Sequence, residues 1–275
     1  MEYSKVLVGK EDWLFLQNDT NRIVEQNVGL LKFSPEDVKR WVGILETRSA
    51  TLKDRGIKYY FLAAPNKESV YPEYLPEGYI FSEQRPIHQI IEGLSTSTVK
   101  LHYPLDVLKR YKSELQLYTQ VNTHWNARGA YIAYEYLANI IKKDYLLKVV
   151  DWADIIFEDT EISEDLGNKL NPPQTSTYVR ARVKNAKAQI IYDNGRINSG
   201  RIQISQNSDT TLPTAIIFHD SFMTEGMLPF IMESFSRAQF IHTPIVDYNL
   251  IDQLKPDIVI TEMVERFIIC IPSDF

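Results

Sequence analysis

Residues 57–64, Ile57-Lys58-Tyr59-Tyr60-Phe61-Leu62-Ala63-Ala64, run apolar and aromatic with no alternation after Lys58. A strand with one wet face alternates polar and apolar side chains. An unbroken run suits a strand covered on both faces, which belongs in a parallel sheet flanked by helices. The pattern recurs in Thr214-Ala215-Ile216-Ile217-Phe218, in 239–242 and in 257–261. Helical stretches separate these runs. Ser34-Pro35-Glu36-Asp37 places serine at an N-cap, proline at the first helical position and acids in the first turn. That helix is predicted to reach about Asp54, with Gly56 near its end. Helices are also predicted over 85–94, 104–112, 127–143, 226–234 and 249–254, with short strands over 99–102 and 117–121. Repeated β-α-β units imply an α/β fold with a doubly wound, mostly parallel sheet, whose sites gather beyond the carboxyl ends of the strands.

Over about 149–213 the helical period fades. Pro172-Pro173 interrupts the chain, and Asp193-Asn194-Gly195 marks a hairpin turn between β-like runs. This stretch reads as a β-rich insertion within a single domain spanning 1–275. A formal charge of −6, with scattered basic residues, argues against nucleic-acid binding. No apolar stretch approaches the roughly 18–20 residues of a membrane span. The first residues, Met1-Glu2-Tyr3-Ser4-Lys5, lack the basic-then-apolar pattern of a signal peptide, which fits a cytoplasmic protein or a processed form. The one cysteine, Cys270, excludes an internal disulfide and, within Phe267-Ile268-Ile269-Cys270-Ile271, is expected to be a small core residue.

The strand at 214–218 runs into His219-Asp220-Ser221-Phe222, and Val121-Asn122-Thr123-His124-Trp125-Asn126 sets a histidine in a polar loop before a helix. A serine and a histidine at strand ends are the core of a nucleophilic hydrolase or acyltransferase. From spacing alone, Ser221 as a helix cap and His124 as an ordinary loop residue are simpler readings. Asn122 could orient the imidazole through its carbonyl but brings no charge. Asp220 is an alternative acid, or a turn residue bonding nearby N–H groups. The ligand spacing of a metal site is missing, as is a glycine-rich phosphate loop, so neither metal nor dissociable cofactor is expected.

Five segments together resemble a known family. These are Gly9-Lys10-Glu11-Asp12-Trp13-Leu14-Phe15, Pro65-Asn66-Lys67 continuing through Tyr71-Pro72 to Leu75-Pro76, Asn122-Thr123-His124-Trp125 with Gly129-Ala130, Asp220-Ser221-Phe222, and Lys255-Pro256-Asp257 with Glu262 to Arg266. Their order resembles the SGNH-hydrolase-like proteins of bacterial exopolysaccharide acetylation, the alginate O-acetyltransferases among them. The resemblance implies a flavodoxin-like three-layer sandwich, with Ser221 as nucleophile and His124 as base. The family's triad acid falls on Asn122, a departure. Asp220, Trp125, Lys67, Tyr71 and Arg266 lie in the matching segments and are the expected substrate contacts. It further implies an extracytoplasmic setting, a polysaccharide hydroxyl as acceptor, and an acetyl donor relayed by a membrane-bound O-acyltransferase. The leading expectation is therefore a serine-dependent O-acetyltransferase or acetylesterase. The alternative is a catalytically weakened protein that binds polysaccharide or scaffolds a modification complex.

Overall fold

The computed structural model describes residues 4–274; the outermost ends of the expected single unit, 1–3 and 275, lie outside the described residues. The chain opens with a small antiparallel pair, β1 (Val6–Val8) and β2 (Leu14–Leu16), and the short helix α1 (Ile23–Asn27). Next come α2 (Pro35–Asp54), β3 (Lys58–Ala64), α3 (Lys67–Val70), α4 (Pro86–Gly93), β4 (Leu101–His102), α5 (Leu105–Tyr111) and α6 (Ala127–Ile141). A hairpin, β5 (Ile155–Ile162) and β6 (Ser176–Val183), and a second pair, β7 (Ala188–Asp193) and β8 (Ile202–Asn207), follow. The chain closes with β9 (Thr214–His219), α7 (Leu228–Ile231), β10 (Arg237–His242), α8 (Tyr248–Leu254) and β11 (Ile258–Val264).

Seven strands form the central sheet in the order β4-β3-β11-β9-β10-β8-β7. The first five are parallel, while β8 and β7 add antiparallel at one edge. The unbroken apolar runs are its central strands, and alternate residues feed two cores. Leu62, Ile217, Phe240 and Ile260 pack with α6 and α7, whereas Phe61, Ile216, Phe218 and Val259 face α2, α4 and α8. Covering both faces removes the need for a polar row, giving the three-layer α/β sandwich. The helix start at Ser34 forms as the local chemistry dictates: its Oγ accepts from Asp37 N at 3.2 Å, with Pro35 as the first helical residue.

Four expectations are corrected. The β-rich stretch divides: β5–β6 stands as its own two-stranded sheet, while β7 and β8 extend the central one. The hairpin at Asp193 exists, but its loop spans 194–201. Cys270 is exposed, because the 3₁₀ turn over Glu265–Ile269 buries Ile268 and leaves Cys270 just past its end. Residues 117–121 form no strand. Apart from one bridge between Tyr118 and Trp125, their carbonyls accept from scattered backbone N–H groups, those of Leu14, Asn122, Asn126 and Gly167, and from the side chains described next. Among the described residues, no helix is long and apolar enough to cross a membrane.

Candidate active site

β9 ends at His219, and the chain turns at once into a helical segment that starts with Ser221 and Phe222. Ser221 N–H therefore falls at the start of a turn, where no helical carbonyl lies behind it to accept its proton. The hydroxyl points at the loop preceding α6. Ser221 Oγ stands 2.8 Å from His124 Nε2. His124 Nδ1 stands 2.9 Å from Asn122 Oδ1, which also accepts His124 N–H at 3.0 Å.

That shared acceptor decides the tautomer. A backbone N–H can only donate, so the Asn122 atom facing it must be the carbonyl oxygen. The same oxygen faces Nδ1, so Nδ1 carries the proton and Nε2 presents its lone pair to Ser221. An imidazole so arranged can take a proton from the hydroxyl. Burial, then the Arg266 guanidinium, pushes the His124 pKa down to about 3; Lys67 acts in the same direction and Asp165 opposes them. His124 is thus a neutral base across the physiological range.

The loop is held from beneath. Buried Lys67 donates through Nζ to the carbonyls of Thr119 at 3.2 Å, Gln120 at 2.9 Å and Asn122 at 2.8 Å. These bonds replace a strand ladder at 117–121. Burial pushes the Lys67 pKa down to about 7. Three carbonyl acceptors, with the rings of Trp13 and Phe15 within 6 Å, favour the ammonium, which alone carries three protons for three acceptors. Tyr71 OH accepts Leu117 N–H at 2.9 Å, and Tyr118 OH donates to Pro65 O at 2.7 Å. Trp125 Nε1–H donates to Phe222 O at 2.9 Å, tying the histidine loop to the serine turn.

Asn126 closes the loop by capping α6: its Oδ1 accepts Arg128 N–H at 2.9 Å and Gly129 N–H at 3.2 Å. Gly129 is required where it stands, since a Cβ there would run into the Leu117 carbonyl oxygen. Asn126→Ala removes the cap and is expected to cost about 1 kcal/mol, measured by denaturant melts.

The expected substrate contacts separate on inspection. Trp125, Lys67 and Tyr71 are buried, with their polar atoms engaged inside the protein, so they build the loop and offer a substrate no polar atom. Asp220 is also buried; its oxygens accept Phe222 N–H at 2.8 Å and Val264 N–H at 2.7 Å, and it makes no hydrogen bond to the imidazole. Burial raises its pKa, against the two N–H donors, and burial and then Asp220 raise that of Glu262 well above its ordinary value. Arg266 differs. It lies over the rings of Phe222 (5.4 Å) and Phe267 (4.9 Å), and among the described residues its guanidinium forms no ion pair and donates no hydrogen bond.

Sequence reading passed over three contributors. Glu265 accepts from Asn66 N–H, Ser69 Oγ–H, Tyr103 O–H and Arg85 Nε–H at 2.6–3.0 Å, fixing the segment that carries Lys67. Thr123 and Asp165 lie beside the imidazole, the latter in the β5–β6 hairpin loop. Only the motif resemblance hinted at Glu265; Asp165 left no local signal. Beside the serine turn, a cavity of about 310 Å³ is lined by Ala127, Glu164, Tyr178, Arg180, Thr224 and Glu225. No group of three His, Cys, Asp or Glu able to hold a metal occurs among the described residues.

Residues 6–188 match the family described as "SGNH hydrolase-like domain, acetyltransferase AlgX". Among solved structures, the fold is similar to Bacillus cereus PatB1 with a sulfonyl adduct, at 16% identity and a TM-score of 0.73, over 98% of this chain and 97% of that one. It is similar to the O-acetyltransferase domain of Pseudomonas putida AlgJ, at 17% identity and a TM-score of 0.63, over 98% and 94%. It is also similar to Pseudomonas aeruginosa AlgX, at 13% identity and a TM-score of 0.60, over 95% of this chain and 62% of that one. No curated protein matches.

Proposed function

We propose that this chain, which belongs to the SGNH hydrolase-like domain family of the acetyltransferase AlgX, is a serine-dependent O-acetyltransferase or acetylesterase acting on the hydroxyls of a polysaccharide. The 2.8 Å contact between Ser221 Oγ and the unprotonated Nε2 of His124 carries this reading. In the first half-reaction Ser221 Oγ attacks the donor's acetyl carbonyl while Nε2 takes the hydroxyl proton. The tetrahedral oxyanion forms within reach of the Ser221 N–H, and its collapse expels the leaving group, which recovers the proton from His124. In the second half a sugar hydroxyl, or water, gives its proton to Nε2 and attacks the acetyl-serine; collapse breaks the acetyl–Oγ bond, and Ser221 Oγ takes that proton back from His124.

Arg266 offers unspent donors on the substrate side of Phe222. The cavity between the serine turn and the β5–β6 hairpin is the natural seat for an acceptor sugar. The donor would arrive through a membrane-bound O-acyltransferase, as the family resemblance implies. Incubation with p-nitrophenyl acetate followed by rapid acid quench tests the reading. A mass increase of one acetyl group mapped to the Ser221 peptide is expected, and turnover with no acyl-enzyme on that peptide would sink it.

Asn122 favours the rival reading, a muted enzyme that mainly binds glycan. Asn122→Asp separates the two. The carboxylate would stabilise the imidazolium, and a rise in turnover of about tenfold or more is expected, against the roughly 10⁴ lost when a serine protease makes the reverse change. Retained glycan binding with turnover in neither form would favour the rival.

A further inference from the structure

We infer that Asp165, acting through the Thr123 hydroxyl, supplies the negative charge that Asn122 lacks. The inference rests on the reading of Ser221 and His124 as the reacting pair. Nδ1–H of His124 has two neighbours. Asn122 Oδ1 stands at 2.9 Å, and Thr123 Oγ1 at 3.4 Å. Thr123 has one hydroxyl proton, committed to Asp165 Oδ2 at 2.7 Å, so towards the ring Oγ1 can only accept. The same Asp165 oxygen accepts Thr123 N–H at 2.9 Å. Burial works against the charge of this carboxyl, but the two Thr123 bonds, with His124 and Lys169, outweigh it and hold the pKa below the ordinary range. Asp165 is therefore an anion one hydroxyl removed from the ring.

The arrangement splits in two the work that one carboxylate does in a serine triad. Asn122 orients the ring and fixes its tautomer without charge. Asp165 brings charge without touching the ring. When Nε2 takes the serine proton, the imidazolium donates from Nδ1 chiefly to Asn122 Oδ1, and the Thr123 oxygen, polarised by Asp165, adds a second, longer contact that favours the charge. No proton passes to Asp165, which stays ionised throughout. The two other charges acting on the ring, Arg266 and Lys67, are both positive and disfavour the imidazolium, so a compensating anion is needed.

Its delivery is a tertiary event. Asp165 sits at the tip of the β5–β6 hairpin in the left-handed region, with φ of 45°, a conformation that Asp adopts more readily than most residues. Leu166 behind it is buried against Val6, Leu14 and Val121, and Gly167 N–H bonds Val121 O at 3.1 Å. The hairpin tip is thus docked on the histidine loop.

A double-variant cycle on the whole chain tests Asp165 as a positioning residue. Asp165→Asn is expected to lower kcat for p-nitrophenyl acetate roughly 10- to 100-fold, as one charge a few ångströms off does at an effective dielectric of about 20, with KM little changed. In the Asn122→Asp background the same change should cost far less, because the adjacent carboxylate makes the remote one redundant. An equal cost in both backgrounds would assign Asp165 a merely structural role and overturn the inference.

Thr123→Val keeps the backbone bond to Asp165 and removes only the relay hydroxyl; it should lose a similar share of kcat. A readout independent of turnover is the Nδ1–H proton resonance of His124 at neutral pH. It should move upfield in Asp165→Asn and in Thr123→Val, and an unmoved resonance overturns the inference. Turnover that survives Ser221→Ala is a different failure: it removes the serine reading, while the resonance still decides whether Asp165 reaches the ring.

Discussion

Ser221→Ala is expected to lower p-nitrophenyl acetate turnover by at least about 10³-fold while leaving the melting temperature unchanged. The two halves have separate causes. The hydroxyl's one hydrogen bond is to His124 Nε2 at a part-buried site, so its loss leaves a single nitrogen without that partner and removes no contact that holds the core. Thr224 Oγ1 bonds the backbone carbonyl of Ser221, at 3.2 Å, and that bond survives the change. What disappears is the atom that would carry the acetyl group. Steady-state kinetics beside a thermal melt reads both. Activity retained by the alanine variant would mean that the imidazole activates water directly, and the acyl-enzyme scheme would fall.

Glu265→Ala has the largest expected effect on stability. Glu265 is buried, and its carboxylate is the common acceptor for Arg85, Tyr103, Ser69 and the Asn66 N–H. Removing it leaves the Arg85 guanidinium, equally buried, without its counter-charge. Breaking a buried pair from one side costs about 3–5 kcal/mol, and each kcal/mol moves Tm roughly 2–4 °C in a domain of this size. Activity should fall with it, since Asn66 precedes α3 and Lys67 of that helix organises the histidine loop. Burial raises the Glu265 pKa, but Arg85, Ser69 and the Asn66 N–H outweigh it and hold the group below its ordinary 4.5. The contribution is therefore complete above that pH and declines as pH falls through the lowered value. A pH series of melts should show the wild type losing stability on acidification more steeply than the variant.

The parts of the fold legible in the sequence are those decided by neighbours in the chain. Ser34 and Pro35 start α2 because a serine oxygen reaches an N–H three residues on and proline's fixed φ suits the first turn. The runs at 57–64, 214–218 and 257–261 are strands because unbroken apolar stretches of that length need cover on two faces. Where readings failed, a distant group decided the outcome. Residues 117–121 look like a strand, yet the Thr119 and Gln120 carbonyls, with that of Asn122, bond Lys67 Nζ, more than fifty residues earlier. Cys270 lies in an apolar run, yet the turn over Glu265–Ile269 leaves it facing solvent. Trp125 and Tyr71 sit in motif positions, but they hold the loop together from inside.

The sequence by itself determined the α/β class, the mostly parallel sheet, and a serine and a histidine at positions from which they could meet. It also exposed the departure at Asn122. Only the tertiary structure decided that Ser221 and His124 do meet, which tautomer the ring holds, and that Asp165 lies behind it. The physical reason is range. Helix caps and strand periods are settled by contacts a few residues apart. The charge beside His124 comes from a hairpin tip docked on the loop by Leu166 and Gly167, and no local pattern in the chain records that contact.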